Sequence, residues 1–388
     1  MHRQNSQVEL PLPDPVALAH SERLRERILQ AIDSADGALA FSQFMEMALY
    51  EPGLGYYSAG TAKFGPAGDF VTAGELGDFL ARAVVTTLAP RLAALPQPAV
   101  VELGAGTGAL AAAILQQLHA CGLEHVRYRI LEPSPDLQSR QRALLAAHGS
   151  RVDWIETLRP DSVCGAIIAN EVADALPVER VVLGSAGWQQ LAVARSAREF
   201  RWCVQSLPRD LAQALGAISA ELAEPLREGY VSELRPLLGP WVRTLGAALS
   251  AGDVLVIDYG MSRREYYHPQ RDGGTLMCHY RHRAHADPFV YPGLQDITAW
   301  VDFSACARAA QAAGLRTAGF TTQGAWIAAA VLSDPALPGE LDSHGAAQLK
   351  TLLLPGEMGE RFKVLLLRRD ADALPAPPLP GRDLRARL

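Results

Sequence analysis

Apolar and polar positions follow two different rhythms along this chain. Leu24, Ile28, Leu29 and Ile32 recur at helical spacing, which predicts a helix from Ser21 to a stop at Gly37, with residues 1 to about 15 read as loose. A second helix is expected from about Ser42 to Leu49, ending at Glu51-Pro52-Gly53. A glycine- and aromatic-rich stretch follows, from Gly53 to Phe70. From residue 99 onward short apolar runs alternate with helical periodicity. The runs end at Glu102, at Leu131 before Glu132-Pro133-Ser134, at Ile155, at Ala169 before Asn170-Glu171, and at Ile257 before Asp258. Helices are expected over Ala109 to Ala120 and Pro135 to His148. Strand, helix, strand at this cadence implies a parallel sheet with right-handed crossovers.

Between Val178 and Val204 the rhythm changes to short runs broken by Gly184, Gly187 and Ser196, the pattern of an antiparallel meander. Helical text follows around Trp241 to Leu249. The chain is therefore read as an α/β protein with a helical and loop cap over residues 1–90. The core occupies 91–177 and 250–370, an inserted β/α subdomain 178–249, and a flexible tail 371–388. A helix from Asp302 to Ala313 and strands near Leu315 to Phe320 and Phe362 to Leu367 complete the core.

The segment Val100 to Gly108 carries the most chemistry. An apolar strand enters Glu102, then Gly104, Gly106, Thr107 and Gly108, and a helix begins at once. Glycine lets such a turn adopt positive φ and lets a ligand approach the backbone. A phosphate-binding P-loop needs Lys and Ser/Thr at its end, whereas Ala109 and Leu110 stand here. The dinucleotide spacing G-x-G-x-x-G is also missed. An acid before the glycines would repel a pyrophosphate but suits a ligand bearing an ammonium group. Glu132 stands near the spacing at which an acid meets both hydroxyls of an unphosphorylated ribose, a property shared by S-adenosylmethionine and NAD. In an open α/β sheet, ligands lie beyond the carboxyl ends of the strands, where Glu102, Glu132, Asn170, Glu171 and Asp258 collect.

E-x-G-x-G-x-G resembles motif I of class I S-adenosylmethionine-dependent methyltransferases. The resemblance extends through residues 44–57 (FMEMALYEPGLGYY), 63–75 (KFGPAGDFVTAGE), 169–177 (ANEVADALP), 255–260 (LVIDYG), 295–303 (QDITAWVDF) and 353–364 (LLPGEMGERFKV). In this order they resemble the MidA family, with Gly74 standing where proline is usual. The resemblance implies a seven-stranded Rossmann-like sheet, an N-terminal cap, and an antiparallel insertion after the fourth strand. It implies S-adenosylmethionine as cofactor, held by Glu102, Gly104, Gly106, Thr107, Gly108, Glu132, Pro133, Ser134 and Asn170. Gly68 and Asp69 are expected to join them from a lid.

The family includes a mitochondrial complex I assembly factor that methylates protein arginine. An arginine side chain of a protein is therefore the expected acceptor, and a respiratory-complex-like subunit is one candidate for that protein. Glu171 is expected to orient the guanidinium, with Asn170 bonded to substrate or cofactor. Asp174 would lie one turn along if a helix starts at Glu171, which Asn170 would cap. The rival readings are methylation of a small molecule, an assembly factor that keeps the cofactor pocket without turnover, and an NAD oxidoreductase.

Bulk properties narrow the partners. The 36 basic and 42 acidic side chains give a formal charge of −6, which provides no general grip on nucleic acid. Five scattered cysteines without a C-x-x-C pair fit a reducing compartment. No apolar run long enough for a membrane span occurs, and Glu9, Asp14, Glu22 and Glu26 disfavour a transit peptide, so a cytoplasmic location is expected. The meander and the aromatic loop are candidate surfaces for pairing two copies. Cys278, His279, His282 and His285 have metal-ligand chemistry, but Arg281 and Arg283 among them oppose a cation, and no metal is expected.

Overall fold

The computed structural model describes residues 10–59, 74, 76–332, 341–369, 375 and 377–388. They form two compact units. The larger comprises 72–174, 237–268 and 300–388; the smaller comprises 1–71, 175–236 and 269–299.

The larger unit is built on a sheet of seven strands: β1 (Ala99–Leu103), β2 (Arg127–Leu131), β3 (Val152–Ile155), β4 (Val163–Asn170), β5 (Leu249–Met261), β6 (Arg316–Thr322) and β7 (Phe362–Arg369). Their spatial order is 3-2-1-4-5-7-6. Strands β1 to β5 pair in parallel, and β7 runs antiparallel between β5 and β6. A further two-residue strand, Val301–Asp302, pairs with Gly260 and Met261. The central strands read as near-continuous apolar runs because both faces are covered. Helices Phe79–Leu92, Ala109–Ala120 and Gln323–Val331 bury Leu80, Val84, Ile114, Leu118, Trp326 and Ile327 in one apolar cluster with Val100, Ile168 and Ile257. This is the α/β sheet that the strand pattern implies, with the seven strands that the family resemblance implies.

In the smaller unit, helices Pro15–Ser34 and Phe41–Tyr50 pack Leu24, Ile28, Phe41, Phe44 and Met45 against Val193 and Phe200. The last two belong to a meander of Glu179–Gly184, Gly187–Ser196 and Glu199–Gln205. The antiparallel insertion thus follows the fourth strand of the main sheet. Its second part is Val231–Leu234, paired with Glu179–Val182. Among the described residues no helix is long and apolar enough to cross a membrane.

The structure departs from the expected organisation in three places. The first helix begins at Pro15, six residues before Ser21, because Asp14 accepts from Val16 N and Ala17 N at 3.0 and 2.9 Å, with proline at N1. Helices Phe79–Leu92 and Leu238–Ala248 belong to the sheet unit, while 269–299 join the smaller one. The expected boundaries at 90, 178 and 249 follow the sequence order of the elements and miss this interleaving.

The third departure concerns the tail, where two leucines are buried among more exposed residues. Leu379 and Leu384 are 8% and 7% exposed, and Leu384 N donates to Phe320 O of β6 at 2.7 Å. Arg91 and Arg368, both paired to the buried Asp253, donate onward to Pro375 O and Pro377 O at 2.9 and 3.1 Å. A chain ending at residue 374 is expected to lose about 3 kcal/mol of stability, from two buried leucines and the stranded guanidinium donors. A thermal melt checks it; an unchanged midpoint would mean that the tail is frayed after all.

Candidate cofactor and acceptor site

The carboxyl ends of β1, β2, β4 and β5 meet at one rim of the sheet unit. Beyond β1, Gly104, Gly106 and Gly108 hold φ of 61°, 55° and 86°. A side chain at these left-handed positions would be strained, so the turn presents bare backbone. Gly108 is the N-cap of helix Ala109–Ala120 and Thr107 Oγ1 accepts from Ala109 N at 3.4 Å, so the turn feeds straight into a helix N-terminus.

Glu102, the acid of the motif, is 2% exposed and accepts a hydrogen bond from the Tyr128 hydroxyl at 2.6 Å. Burial, and then the neighbouring Glu132 carboxylate, push its pKa from 4.5 up to about 7 against the opposing Tyr128 bond. Because the folded value lies above the unfolded one, the native state binds the extra proton. The associated stability is complete below about pH 4.5 and is lost as pH rises through about 7. The shift corresponds to about 3 kcal/mol. Glu102→Gln keeps an acceptor for Tyr128 and removes the ionisable group. Relative to wild type, its melting point is expected to rise as pH increases from 5 to 8. Parallel melting curves of the two proteins across that range would contradict the assignment.

Beyond β2, Glu132 is 5% exposed. Its Oε1 accepts from Ser134 N at 3.0 Å and its Oε2 from Gln141 Nε2 at 3.1 Å. Ser134 caps helix Pro135–Leu144 through its hydroxyl at 3.5 Å from Leu137 N, and Pro133 is exposed. These local bonds aim a carboxylate beside the glycine turn.

Beyond β4, Asn170 Nδ2 donates to Glu171 Oε1 at 3.2 Å, while Asn170 Oδ1 is buried with no hydrogen-bond partner among the described residues. Glu171 has φ 54°, the left-handed region that a non-glycine residue rarely occupies. Its N–H donates to Ile257 O of β5 at 2.9 Å.

No helix starts at Glu171, which corrects the expected Asn170 cap and one-turn spacing of Asp174. Asp258 explains the difference. Fully buried in β5, one residue past its last pairing with β4, it accepts from Ala173 N and Asp174 N through Oδ2, at 2.8 and 3.1 Å, and from Tyr259 N through Oδ1 at 2.8 Å. A distant carboxylate takes the N–H groups that an opening helical turn would leave free. Asp258 is thus a brace for the 171–174 turn. Asp174 itself is 5% exposed.

Several members of the site escaped the sequence reading. Tyr259 packs on Phe362 at 3.9 Å between centroids and lies 6.3 Å from Trp300. Burial, and then the charges of Glu171, Asp174 and Asp258, raise its hydroxyl well above the ordinary range. Gln141 and Trp154 were passed over too, although a glutamine on the apolar stripe with Leu137 was a readable anomaly. Gly68 and Asp69 lie outside the described residues. In the smaller unit, Met277–Tyr280 and Arg283–His285 form a hairpin in which Cys278 is buried and burial lowers the pKa of His279 and His285. Among the described residues no three His, Cys, Asp or Glu side chains are placed to hold a metal.

The rim fits S-adenosylmethionine on observations of this structure. It offers bare positive-φ backbone for close approach, an oriented carboxylate after β2, and a buried acceptor, Asn170 Oδ1, unpaired among the described residues. Together with the strand order 3-2-1-4-5-7-6, these features define a class I S-adenosylmethionine-dependent methyltransferase.

Comparison with known proteins gives the family. A model of S-adenosyl-L-methionine-dependent methyltransferases matches residues 79–321, and the chain belongs to that family. A protein from Burkholderia thailandensis whose crystal structure holds S-adenosyl-homocysteine is 41% identical. That comparison covers 96% of this chain and 99% of the other, with a TM-score of 0.88. The protein arginine methyltransferase NDUFAF7 homolog, mitochondrial, of Drosophila melanogaster is 25% identical over 89% of this chain and 84% of its own. The mouse NDUFAF7 protein is 26% identical over 85% and 81%. The cofactor is S-adenosylmethionine, as the glycine turn and Glu132 imply.

Proposed function

We propose that this methyltransferase modifies the guanidinium of an arginine in a protein. The observation that carries the reading is Glu171, held at φ 54° at the end of β4 and followed by the 171–174 turn that Asp258 braces. The names of the Drosophila and mouse relatives support the same acceptor.

The donor supplies an electrophilic methyl group on a sulfonium. A guanidinium nitrogen is a poor nucleophile because its lone pair is delocalised. Glu171 forms charge-assisted hydrogen bonds to the guanidinium, fixes the plane of the group and draws positive charge away from the reacting nitrogen. Asn170 restrains the Glu171 carboxylate through its Nδ2 and keeps Oδ1 for an N–H of donor or acceptor. As the new N–C bond forms, the S–CH3 bond of the sulfonium would break to leave a neutral thioether, and the proton on that nitrogen would leave to Glu171 or to water. Glu102, Glu132 and the glycine turn take no part in this transfer; they hold the donor.

Incubation of the protein with a lysate and a donor labelled in its methyl group tests the reading. Label is expected in methylarginine after acid hydrolysis of the protein fraction. Label confined to metabolites or to another side chain would overturn the acceptor assignment. Donor binding without any labelled product would favour an assembly role.

A further inference from the structure

The glycine turn, the end of β2, the following helix and β3 converge on one side chain, Gln141, which is fully buried. Its Oε1 accepts from Trp154 Nε1 at 2.9 Å. An indole nitrogen only donates, so this bond fixes the carboxamide and turns both Nε2 hydrogens to the opposite side. There Nε2 donates to Gly106 O at 2.9 Å and to Glu132 Oε2 at 3.1 Å. The absent side chain of Gly108 makes room for it: a Cβ there would lie 3.3 Å from Gln141 Cγ. The Arg142 guanidinium lies over the Trp154 ring, 4.7 Å from its centroid.

We infer that Gln141 is a positioning residue for the methyl donor, acting through Glu132 and the Gly106 carbonyl, and that this position requires a hydrogen-bond donor. Both of its Nε2 partners are acceptors, one of them a carboxylate. A glutamate at 141 has nearly the same shape but turns an acceptor toward two acceptors. It would push the Glu132 carboxylate off its aim and loosen the turn at Gly106. Glutamine here therefore does more than fill the core, since a leucine would do that with less polar burial to satisfy. The indole N–H is the third element, because without it the carboxamide is free to flip and present its oxygen to Glu132.

The full-length protein and S-adenosylhomocysteine test this by calorimetry. Q141E is expected to bind about fiftyfold more weakly than wild type at pH 8, the size of one hydrogen bond to a charged group. The gap is expected to shrink severalfold by pH 5.5, as the introduced carboxyl gains a proton and can donate again. A purely structural role would lower the melting point without making that gap depend on pH. Equal affinities at pH 8, or a gap that ignores pH, overturn the proposal. Should Q141E not fold, W154F carries the test: it keeps an aromatic ring but loses the N–H, together with part of the ring that Arg142 covers. About fivefold weaker binding is expected from it, and unchanged affinity overturns the proposal.

Discussion

Replacing Glu171 by glutamine is expected to slow methyl transfer about a thousandfold, at saturating donor, while donor affinity stays within about twofold. Glutamine keeps the size and one acceptor oxygen but loses the charge that the proposed guanidinium acceptor would face. The measurement is single-turnover transfer of labelled methyl to protein, alongside calorimetric binding of S-adenosylhomocysteine. Rate loss with intact binding places Glu171 on the acceptor side of the reaction; equal loss of both would place it on the donor. The backbone supplies an independent check. With φ at 54°, Glu171 sits where a β-carbon costs about 1 kcal/mol relative to glycine. Glu171→Gly should therefore give a protein that melts higher than wild type and transfers no methyl groups. Strain retained at one position, with its relief harmful only to activity, is what a functional residue predicts and a turn residue does not.

How much of this site was readable from residue order depends on how local its determinants are. Helix Ala109–Ala120 and strand Val152–Ile155 have the boundaries their periodicity predicts, because a glycine cap and turn residues bound them within a few positions. The acids at the strand ends were readable for the same reason: each ends an apolar run. The turn after Asn170 was not, since its N–H groups are taken by Asp258, 84 and 85 residues away in sequence. Asn-Glu after a strand reads as a helix start unless that partner is known. The tail failed similarly. Two leucines among prolines and arginines look frayed until β6 and the Asp253–Arg368 pair supply their contacts. Gln141 is the intermediate case, visible as a polar residue on an apolar stripe but without any local hint of its three partners.

Asp258→Ala carries the largest combined effect, because one buried carboxylate serves three backbone N–H groups. Removing it strands the amides of Ala173, Asp174 and Tyr259, of which the first two define the turn that follows Glu171. At about 1–3 kcal/mol for each buried donor left unpaired, partly offset by water entering the gap, a net loss of about 4 kcal/mol is expected. Turnover should fall as far as in Glu171→Gln even in the fraction that remains folded, since Glu171 depends on the same turn for its conformation. Donor affinity should fall much less, because Glu132 and the glycine turn are held by Gln141, Ser134 and helix Ala109–Ala120 instead. Asp258→Asn separates brace from charge: its single oxygen can satisfy Tyr259 or the Ala173–Asp174 pair, but not both, so a partial loss in each readout is expected. Chemical denaturation, calorimetry with S-adenosylhomocysteine and labelled methyl transfer on the same three proteins decide the matter. If Asp258→Ala kept turnover while losing donor affinity, Asp258 would belong to the donor site, as its place on the rim first implied.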